Sequence, residues 1–197
     1  VLIGLIGAGI QKSLSPALHE DEARHHGMRL HYQLIDLDRS ASSVEHLPTL
    51  LSAARIMGYA GCNVTYPCKQ AVIPHLDSLS EEARAMGAVN TVVIQGGKLV
   101  GHNTDGSGWA WGFTRALPGA DLRRVVLLGA GGAGAAIAHA VLRLGAEHLS
   151  IVDAQPERAA QLAADVNALY GARAEASDIQ SAMAQATGLI HATPTGM

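Results

Sequence analysis

The chain of 197 residues is long enough for one large α/β domain or two small ones, and 48% hydrophobic with 16% charged residues excludes a disordered protein. A formal net charge of -3 without a basic run argues against nucleic-acid binding. No apolar run reaches the roughly 18 residues of a membrane helix, so we expect no membrane span. The only cysteines, Cys62 and Cys68, fit a reducing compartment, and we expect a cytoplasmic protein without a metal site.

Strand and helix signals alternate along the first part of the chain. In chain order we predict a strand over residues 1–7, a helix over 16–26, a strand at HYQLIDL, a helix at LPTLLSAARIMG, a strand over 61–65 and a helix over 67–76. Ser15 is the expected cap of the first helix, and Ser42 and Glu45 have capping-box spacing ahead of the second. This order predicts a mainly parallel sheet with helices on both faces.

A hairpin and a second α/β unit follow. The run NTVVIQGGKLVGHNTD predicts two strands around Gly96 and Gly97, with helices over residues 81–86 before it and 108–117 after it. From Leu122 the alternation of strand and helix starts again, which places a domain boundary between Asp105 and Asp121. We predict a two-domain α/β protein: residues 1–105 as the first domain, 106–120 as a linking helix and turn, and 121–197 as a Rossmann-type dinucleotide-binding domain, which we expect to be incomplete at its C-terminal end.

A glycine-rich loop in the second domain predicts a dinucleotide site. The sequence GAGGAG directly follows the apolar strand VVLL and precedes an alanine-rich helix. Gly129 permits the tight turn, Gly131 lets the backbone approach a pyrophosphate, and Gly134 lets helix and strand pack closely. The loop residues that we assign to the cofactor are Gly129, Ala130, Gly131, Gly132, Ala133 and Gly134.

An acidic residue follows this loop at the spacing expected for ribose recognition. Asp153 ends the predicted strand HLSIVD, where its carboxylate can accept hydrogen bonds from ribose hydroxyls and repel a 2′-phosphate. No arginine directly follows it, and Arg158 lies about one helical turn further on. We therefore predict NAD, with NADP as the less favoured cofactor.

Polar side chains follow the predicted strands of the first domain at the points where these strands end. They are Ser13, Ser15, Asn63, Thr65, Lys69, Asn90, Asn103, Thr104 and Asp105. Each has a local explanation, such as Ser15 as a helix cap or Lys69 as a solvated surface residue. Together they indicate a polar ligand site, because the strand ends of an open parallel sheet line the ligand crevice.

The segments SLSPALHE, NVTYPCKQ, GAVNTV, GHNTDGSGW, GAGGAG and ATPTGM carry a resemblance to the shikimate/quinate dehydrogenase family over nearly the whole chain. The resemblance implies reversible oxidation of a ring hydroxyl of shikimate or quinate to the 3-dehydro acid with a nicotinamide cofactor. It implies that Ser13 and Ser15 hold the substrate carboxylate, and that the reacting hydroxyls are surrounded by Asn63, Thr65, Lys69, Asn90 and Asp105. It also adds Thr193 to the cofactor site. Gly7-Ala8-Gly9 is then a tight turn that presents the two serines, since Lys12 replaces the third glycine of a nucleotide loop.

The reaction needs a group that takes the proton of the hydroxyl. We expect Lys69 to be the general acid/base and Asp105 to orient it, with a purely electrostatic Lys69 left open. Other interpretations stay open: a non-catalytic sensor of the same acids, an aminoshikimate dehydrogenase, or a two-domain dehydrogenase of amino acids or folates. The presence of both Lys69 and Asp105 favours the enzyme. We expect small-molecule partners, no nucleic acid, no membrane, and a monomer or homodimer.

Overall fold

A computed structural model describes residues 1–193, and the chain divides into two compact units, Val1–Thr104 and Asp105–Met197. Residues 106–120, predicted as a linking helix and turn, lie in the second unit. Among the described residues, no helix is both long and apolar enough to cross a membrane. The same part of the chain contains no group of three or more His, Cys, Asp or Glu side chains that could hold a metal ion.

The first unit contains a sheet of six strands. Its strands are Leu2–Gly7 (β1), His31–Asp36 (β2), Gly61–Val64 (β3), Ser78–Leu79 (β4), Thr91–Gln95 (β5) and Lys98–His102 (β6). Its helices are Ser15–His25 (α1), Leu47–Ile56 (α2), Cys68–Ala71 (α3) and Glu81–Met86 (α4), with 3₁₀ turns at Val44–His46 and Ile73–His75.

The strand order of this sheet is β2-β1-β3-β5-β6-β4. β1 pairs in parallel with both β2 and β3, and β4 pairs in parallel with β6. β5 is antiparallel to both of its neighbours, β3 and β6. The predicted alternation of strands and helices thus forms the parallel group β2-β1-β3, whereas the short strand β4, which was not predicted, adds a second parallel pair at β6.

The hairpin predicted around Gly96 and Gly97 is confirmed. These two residues join β5 to β6, and their φ angles are 58° and 77°. Two successive positive φ angles give the two-residue turn whose twist matches that of the flanking strands, and glycine adopts them without steric cost. The turn reverses the chain and so makes β6 antiparallel to β5.

The capping residue ahead of α2 was predicted one position too early. Ser43, not Ser42, is the cap, and it precedes a 3₁₀ turn that leads into α2. The Ser43 N–H donates to Nδ1 of His46 at 3.2 Å, so a histidine takes the place that Glu45 was expected to fill.

The helix after Pro67 is shorter than predicted. α3 ends at Ala71, and the chain continues through the 3₁₀ turn Ile73–His75. Pro74 lies inside that turn and has no N–H to donate, so it cannot extend the α-helical hydrogen-bond ladder.

Side chains of β1 alternate between the two faces of the first sheet, and both faces are buried. Ile6 lies in one apolar cluster with Leu51 and Val64, whereas Leu5 lies in another with Tyr32. Burial on both faces is typical of parallel strands that have helices on both sides.

The second unit is described over residues 105–193. Its helices are Asp105–Ala116 (α5), Gly132–Arg143 (α6), Pro156–Tyr170 (α7) and Ile179–Met183 (α8), and its strands are Arg124–Leu128 (β7), His148–Val152 (β8), Ala174–Ala176 (β9) and Gly188–His191 (β10). The strands pair in parallel in the order β10-β7-β8-β9. This is the order of the first four strands of a doubly wound dinucleotide-binding sheet. The predicted α/β fold with a Rossmann-type second part is confirmed.

Candidate active site

In the first unit the predicted polar residues lie around the carboxyl ends of β1 and β3. β1 pairs with β2 on one side and with β3 on the other, so the order of the strands reverses at this point of the sheet. In open α/β sheets the crevice outside the carboxyl ends of the strands, at such a reversal, is the usual ligand site. The loops that follow β1 and β3 are therefore placed where a ligand is expected.

Backbone hydrogen bonds hold these two loops together. The Ala8 N–H donates to the Tyr66 carbonyl, and the Thr65 N–H donates to the Ile6 carbonyl, both at 2.9 Å. A Cβ added at Gly7 would overlap with Cγ2 of Thr65. Glycine is therefore required here for the close approach of the two loops, and Thr65 is fixed against the loop that leads to the serine pair.

Asp36, at the carboxyl end of β2, anchors the loop after β1. Its Oδ1 accepts the Gly9 N–H at 3.1 Å, and its Oδ2 accepts the side-chain amide of Gln11 at 2.8 Å. The Gln11 amide and the backbone donors stabilise the carboxylate and lower the pKa of Asp36 below its ordinary value, although burial opposes them. The Gly7-Ala8-Gly9 stretch is thus a tight turn, with a φ of 66° at Gly9.

Ser13 and Ser15 lie side by side after this turn. Their Oγ atoms are 3.1 Å apart, and the Ser15 N–H donates to Oγ of Ser13 at 3.2 Å. The prediction that Ser15 caps α1 is wrong: Ser15 is the first residue of the helix, and Leu14 precedes it without a side-chain cap. Oγ of Ser13 accepts the first N–H of α1, and an O–H group can donate while its oxygen accepts, so both half-buried hydroxyls can donate to an anion.

Tyr32 lies between the serine pair and Asn63. The Tyr32 hydroxyl donates to Oδ1 of Asn63 at 2.8 Å. Burial has the larger effect on the pKa of Tyr32 and raises it, although the nearby Ser15 side chain lowers it. Asn63 lies on β3 and is half-buried. The serine after β1 and the asparagine on β3 thus both lie beside the Tyr32 hydroxyl.

The hydrogen bonds continue from Asn63 to the end of β6. The Asn63 side-chain amide donates to Oγ1 of Thr91 at 3.2 Å, and the Thr91 hydroxyl donates to Oδ1 of Asn90 at 2.9 Å. The Asn90 amide donates to Oγ1 of Thr104 at 3.0 Å, and the Thr104 N–H donates back to Oδ1 of Asn90 at 3.0 Å. We call this set of side chains the polar row; its members are Ser13, Ser15, Tyr32, Asn63, Thr91, Asn90 and Thr104.

Lys69 lies on α3, beside the segment that carries Asn90. The Lys69 carbonyl accepts the N–H of Val89 at 2.8 Å, and Val89 immediately precedes Asn90. The Lys69 side chain is half-buried, unlike a fully solvated surface lysine. The backbone bond therefore ties the helix of Lys69 to the polar row.

Asp105 directly follows Thr104, which is a member of the polar row. It is the first residue of α5 in the second unit. A carboxylate in the first turn of a helix is stabilised by the N-terminal N–H groups. The contribution of Lys69 and Asp105 to chemistry remains a prediction at this point.

The second unit offers a nucleotide site at the reversal point of its own sheet. β7 has β8 on one side and β10 on the other, and the glycine-rich loop leads from β7 into α6. A Cβ added at Gly131 or Gly132 would meet no atom within 4 Å. The backbone at the N-terminus of α6 therefore faces open space, which fits a pyrophosphate bound to helix N–H groups.

Gly134 and Gly129 make the tight contact that the motif predicts. A Cβ on Gly134 would overlap with the carbonyl oxygen of Gly129. Gly129 has a φ of 100°, and its Cα faces the Ala192 carbonyl and Thr193 in the loop after β10. The loop and the residues after β10 therefore lie next to each other at the reversal point.

Asp153 holds the glycine-rich loop as Asp36 holds the loop after β1. Its Oδ2 accepts the Ala130 N–H at 2.7 Å, and its Oδ1 accepts the Gln155 N–H at 2.9 Å. The Ala130 bond is the largest cause that lowers the pKa of Asp153, followed by the Gln155 bond. Each carboxylate oxygen has a further lone pair, so ribose hydroxyls can still be bound.

Thr193 is the last residue that the structure describes. Its Oγ1 lies 2.9 Å from Nε2 of His191, and its Cγ2 approaches Gly129. The remaining residues of the ATPTGM motif, 194–197, lie outside the described part of the chain.

Sequence reasoning missed Tyr32 and Thr91. Tyr32 lies in an apolar-looking strand, and its partner Asn63 is 31 positions away in the sequence, so no local pattern indicates the contact. Thr91 has a weak signal, because it directly follows the predicted Asn90 and is only half-buried.

Comparison with known families matches each unit separately. A family profile described as the shikimate dehydrogenase substrate binding domain matches residues 5–92. A profile described as NADP oxidoreductase, coenzyme F420-dependent, matches residues 124–197.

Similar proteins match the chain over its whole length. A protein of Streptomyces avermitilis named shikimate dehydrogenase (NADP(+)) is 56% identical, and the match covers 100% of this chain and 69% of the relative. A Corynebacterium glutamicum protein named quinate/shikimate dehydrogenase (NAD(+)) is 45% identical, with 100% and 71% covered. The solved structure of quinate dehydrogenase from Corynebacterium glutamicum in complex with NAD is similar with a TM-score of 0.94 and 43% identity, covering 100% of this chain and 72% of that one.

Proposed function

The chain belongs to the shikimate/quinate dehydrogenase family, and we propose that it reversibly oxidises a ring hydroxyl of shikimate or quinate to the 3-dehydro acid, with NAD as the cofactor. The observation that carries this proposal is the polar row: the two serine hydroxyls pair with each other beside Tyr32, and side-chain hydrogen bonds join Tyr32 to Asn90 and Thr104. The reported relatives are all named as dehydrogenases, which supports a catalytic protein over a non-catalytic sensor of the same acids.

The polar row suits a small acid that carries several hydroxyl groups. Ser13 and Ser15 donate to the carboxylate at one end of the row, and Asn63, Thr65 and Asn90 pair with the ring hydroxyls. A site of this kind rejects analogues that lack a hydroxyl, because their binding leaves buried polar groups unpaired. Residues 1–105 form the substrate-binding part of this proposal, and residues 121–197 form the nucleotide-binding part.

Lys69 and Asp105 act in the proton transfer at the reacting hydroxyl. Lys69 accepts the hydroxyl proton during oxidation and returns it during reduction, as a general acid/base. Asp105 orients the lysine by accepting a hydrogen bond from its amino group and orients the substrate by accepting one from the neighbouring ring hydroxyl, so the single proton of the reacting hydroxyl is left to Lys69. The half-buried side chain of Lys69 and the bond that ties α3 to the segment of Asn90 support this assignment.

The family and the glycine-rich loop indicate a pyridine nucleotide cofactor. Gly131 and Gly132 bring backbone N–H groups to the pyrophosphate, Asp153 accepts the ribose hydroxyls, and Thr193 borders the same loop. When bound, the nicotinamide supplies the acceptor for the hydride that leaves the carbinol carbon.

We propose a preference for NAD over NADP. The carboxylate of Asp153 would repel a 2′-phosphate, and the residues directly after it, Ala154 to Glu157, include no arginine to bind one. We expect a higher kcat/KM with NAD than with NADP for the same ring acid. A higher value with NADP would contradict the preference and would point to Arg158, about one helical turn beyond Asp153, as the phosphate-binding residue.

The proposed function and this preference are tested by one assay panel. Shikimate and quinate are each offered with NAD and with NADP to the full chain, and the reduced nucleotide is followed by its absorbance while the ring product is identified. Formation of the 3-dehydro acid in step with the reduced nucleotide supports the dehydrogenase. Binding of a ring acid without oxidation in any of the combinations would instead support the sensor.

The serine pair gives a further expected result. Ser13→Ala or Ser15→Ala removes a hydrogen bond to the substrate carboxylate and should weaken substrate binding by roughly 1.5–3 kcal/mol. The KM of the ring acid should therefore rise while the affinity for the nucleotide stays nearly constant. Ser52→Ala, at a half-buried serine of α2, is the matched control and should change neither value. An equal loss of nucleotide affinity in the serine variants would place them at the cofactor instead.

A further inference from the structure

We propose that Tyr32 is a positioning residue for the ring acid: its hydroxyl sets the orientation of the Asn63 amide. This inference rests on the proposed function. It assigns to the buried tyrosine a role in substrate binding that is separate from its packing in the core.

The fold places Tyr32 and Asn63 on the same face of the first sheet. Tyr32 lies beside Ile3 of β1, and Asn63 lies beside Leu5 of the same strand. Ile3 and Leu5 are two residues apart and so point to one face. The tyrosine side chain therefore extends across β1, from β2 on one side to β3 on the other.

Packing fixes the ring and leaves the hydroxyl as its polar end. Tyr32 is 3% exposed and lies in an apolar cluster with Leu5 and Ile10. The His19 ring stacks on it with a centroid distance of 4.9 Å and an interplanar angle of 15°. The Tyr32 N–H donates to Oε1 of Glu20 at 2.9 Å, which ties its backbone to α1. The position of the hydroxyl is thus set by contacts that do not involve the polar row.

The single hydroxyl proton of Tyr32 determines the orientation of the Asn63 amide. A phenol has a single O–H donor, and here it points to Oδ1 of Asn63. The Asn63 amide nitrogen must then face Thr91, and the Thr91 hydroxyl donates to Oδ1 of Asn90. The Asn90 amide is held by Thr104 itself, whose N–H donates to Oδ1 of Asn90, so the Tyr32 hydroxyl acts on Asn63 alone. Burial raises the pKa of Tyr32 above its ordinary value, so the hydroxyl keeps the proton that this orientation requires.

Loss of the Tyr32 hydroxyl removes the group that orients the Asn63 amide but leaves the aromatic ring in place. In a Tyr32→Phe variant, Oδ1 of Asn63 loses its donor, and the amide can rotate so that its oxygen and nitrogen exchange places. A rotated amide offers a ring hydroxyl an acceptor where a donor is needed, or the reverse. The effect falls on binding of the ring acid, because Tyr32 does not touch the proton-transfer group in the proposed reaction.

The experiment compares Tyr32→Phe with Tyr59→Phe in the full chain. Tyr59 is a half-buried tyrosine of the same unit that packs against its main apolar cluster. Tyr32→Phe should raise the KM of the ring acid about 3- to 15-fold, the usual effect of one lost hydrogen bond. It should change kcat less than about threefold and leave the KM of the nucleotide constant, and Tyr59→Phe should change none of these values. A KM in Tyr32→Phe within about twofold of the Tyr59→Phe value would overturn the inference.

A double-mutant cycle with Asn63→Ala separates positioning from packing. Without the Asn63 amide there is nothing for the tyrosine hydroxyl to orient, so Tyr32→Phe should have almost no further effect on the KM in that background. The same fold increase in both backgrounds, or loss of folding in Tyr32→Phe, would assign Tyr32 a structural role and overturn the inference. A wild-type chain that oxidises neither shikimate nor quinate would overturn the proposed function and this inference together. An active wild type with an unaffected Tyr32→Phe variant would overturn the inference alone.

Discussion

A Lys69→Ala variant is expected to keep its fold and to turn over the ring acid about 10²–10⁴-fold more slowly than the wild type, the usual loss when a positioned acid or base is removed. Binding of the ring acid should suffer much less, because the polar row remains. The measurement is kcat and the substrate dissociation constant across pH. Lys98→Ala, at an exposed lysine of β6, is the matched control and should leave turnover unchanged.

Lys69→Arg separates proton transfer from electrostatic stabilisation. Arginine keeps the positive charge but does not release a proton at the pH values of the assay. If Lys69 transfers the proton, Lys69→Arg should be about as slow as Lys69→Ala. Substantial activity in Lys69→Arg would leave only the electrostatic role, and near-normal turnover in Lys69→Ala would contradict any catalytic role.

The second large effect is expected at Gly134. A Cβ at this position would overlap with the carbonyl oxygen of Gly129, and a backbone atom cannot move aside as a flexible side chain can. Gly134→Ala should therefore push α6 away from the loop and destabilise the second unit by roughly 1–3 kcal/mol or more. The nucleotide should bind at least about tenfold more weakly, which corresponds to about 1.4 kcal/mol. Thermal unfolding and nucleotide titration measure the two effects.

Two other glycines serve as matched controls for this prediction. Gly112→Ala, in the middle of α5, meets no atom within 4 Å and should leave nucleotide binding unchanged. Gly131→Ala also meets no atom within 4 Å in the protein, so it should leave the unfolding temperature nearly constant but weaken nucleotide binding at the pyrophosphate. Normal nucleotide affinity in Gly134→Ala would contradict the proposed role of the loop.

The parts of the fold that depend on neighbouring residues could be predicted from the sequence. The hairpin at Gly96 and Gly97 depends on two positive φ angles. Two adjacent glycines in the sequence indicate this turn, because glycine adopts such angles without steric cost. The loop from Gly129 to Gly134 is also local, because its two critical glycines contact each other over a few residues. In both cases the residues that make up the sequence pattern are also the residues that form the turn or contact in the structure.

The parts that depend on distant contacts could not be predicted in this way. The role of Ser15 was misassigned because a serine before a proline is a good helix cap, whereas its side chain lies near the Tyr32 hydroxyl of β2, a neighbour that is distant in sequence. The contact between Tyr32 and Asn63 can be predicted only when it is known that β1 lies between their strands. The antiparallel direction of β5 beside β3 likewise depends on which strands become neighbours.

In the proposed reaction, hydride passes from a ring carbon of the substrate to the nicotinamide. This transfer is tested most directly with shikimate or quinate that carries deuterium on the carbon of the oxidised hydroxyl, incubated with the full chain and NAD. We expect the reduced nicotinamide to contain the deuterium and the ring product to have lost it. Reduced nicotinamide without deuterium, or a labelled ring acid that binds and is recovered unchanged, would contradict the proposed reaction.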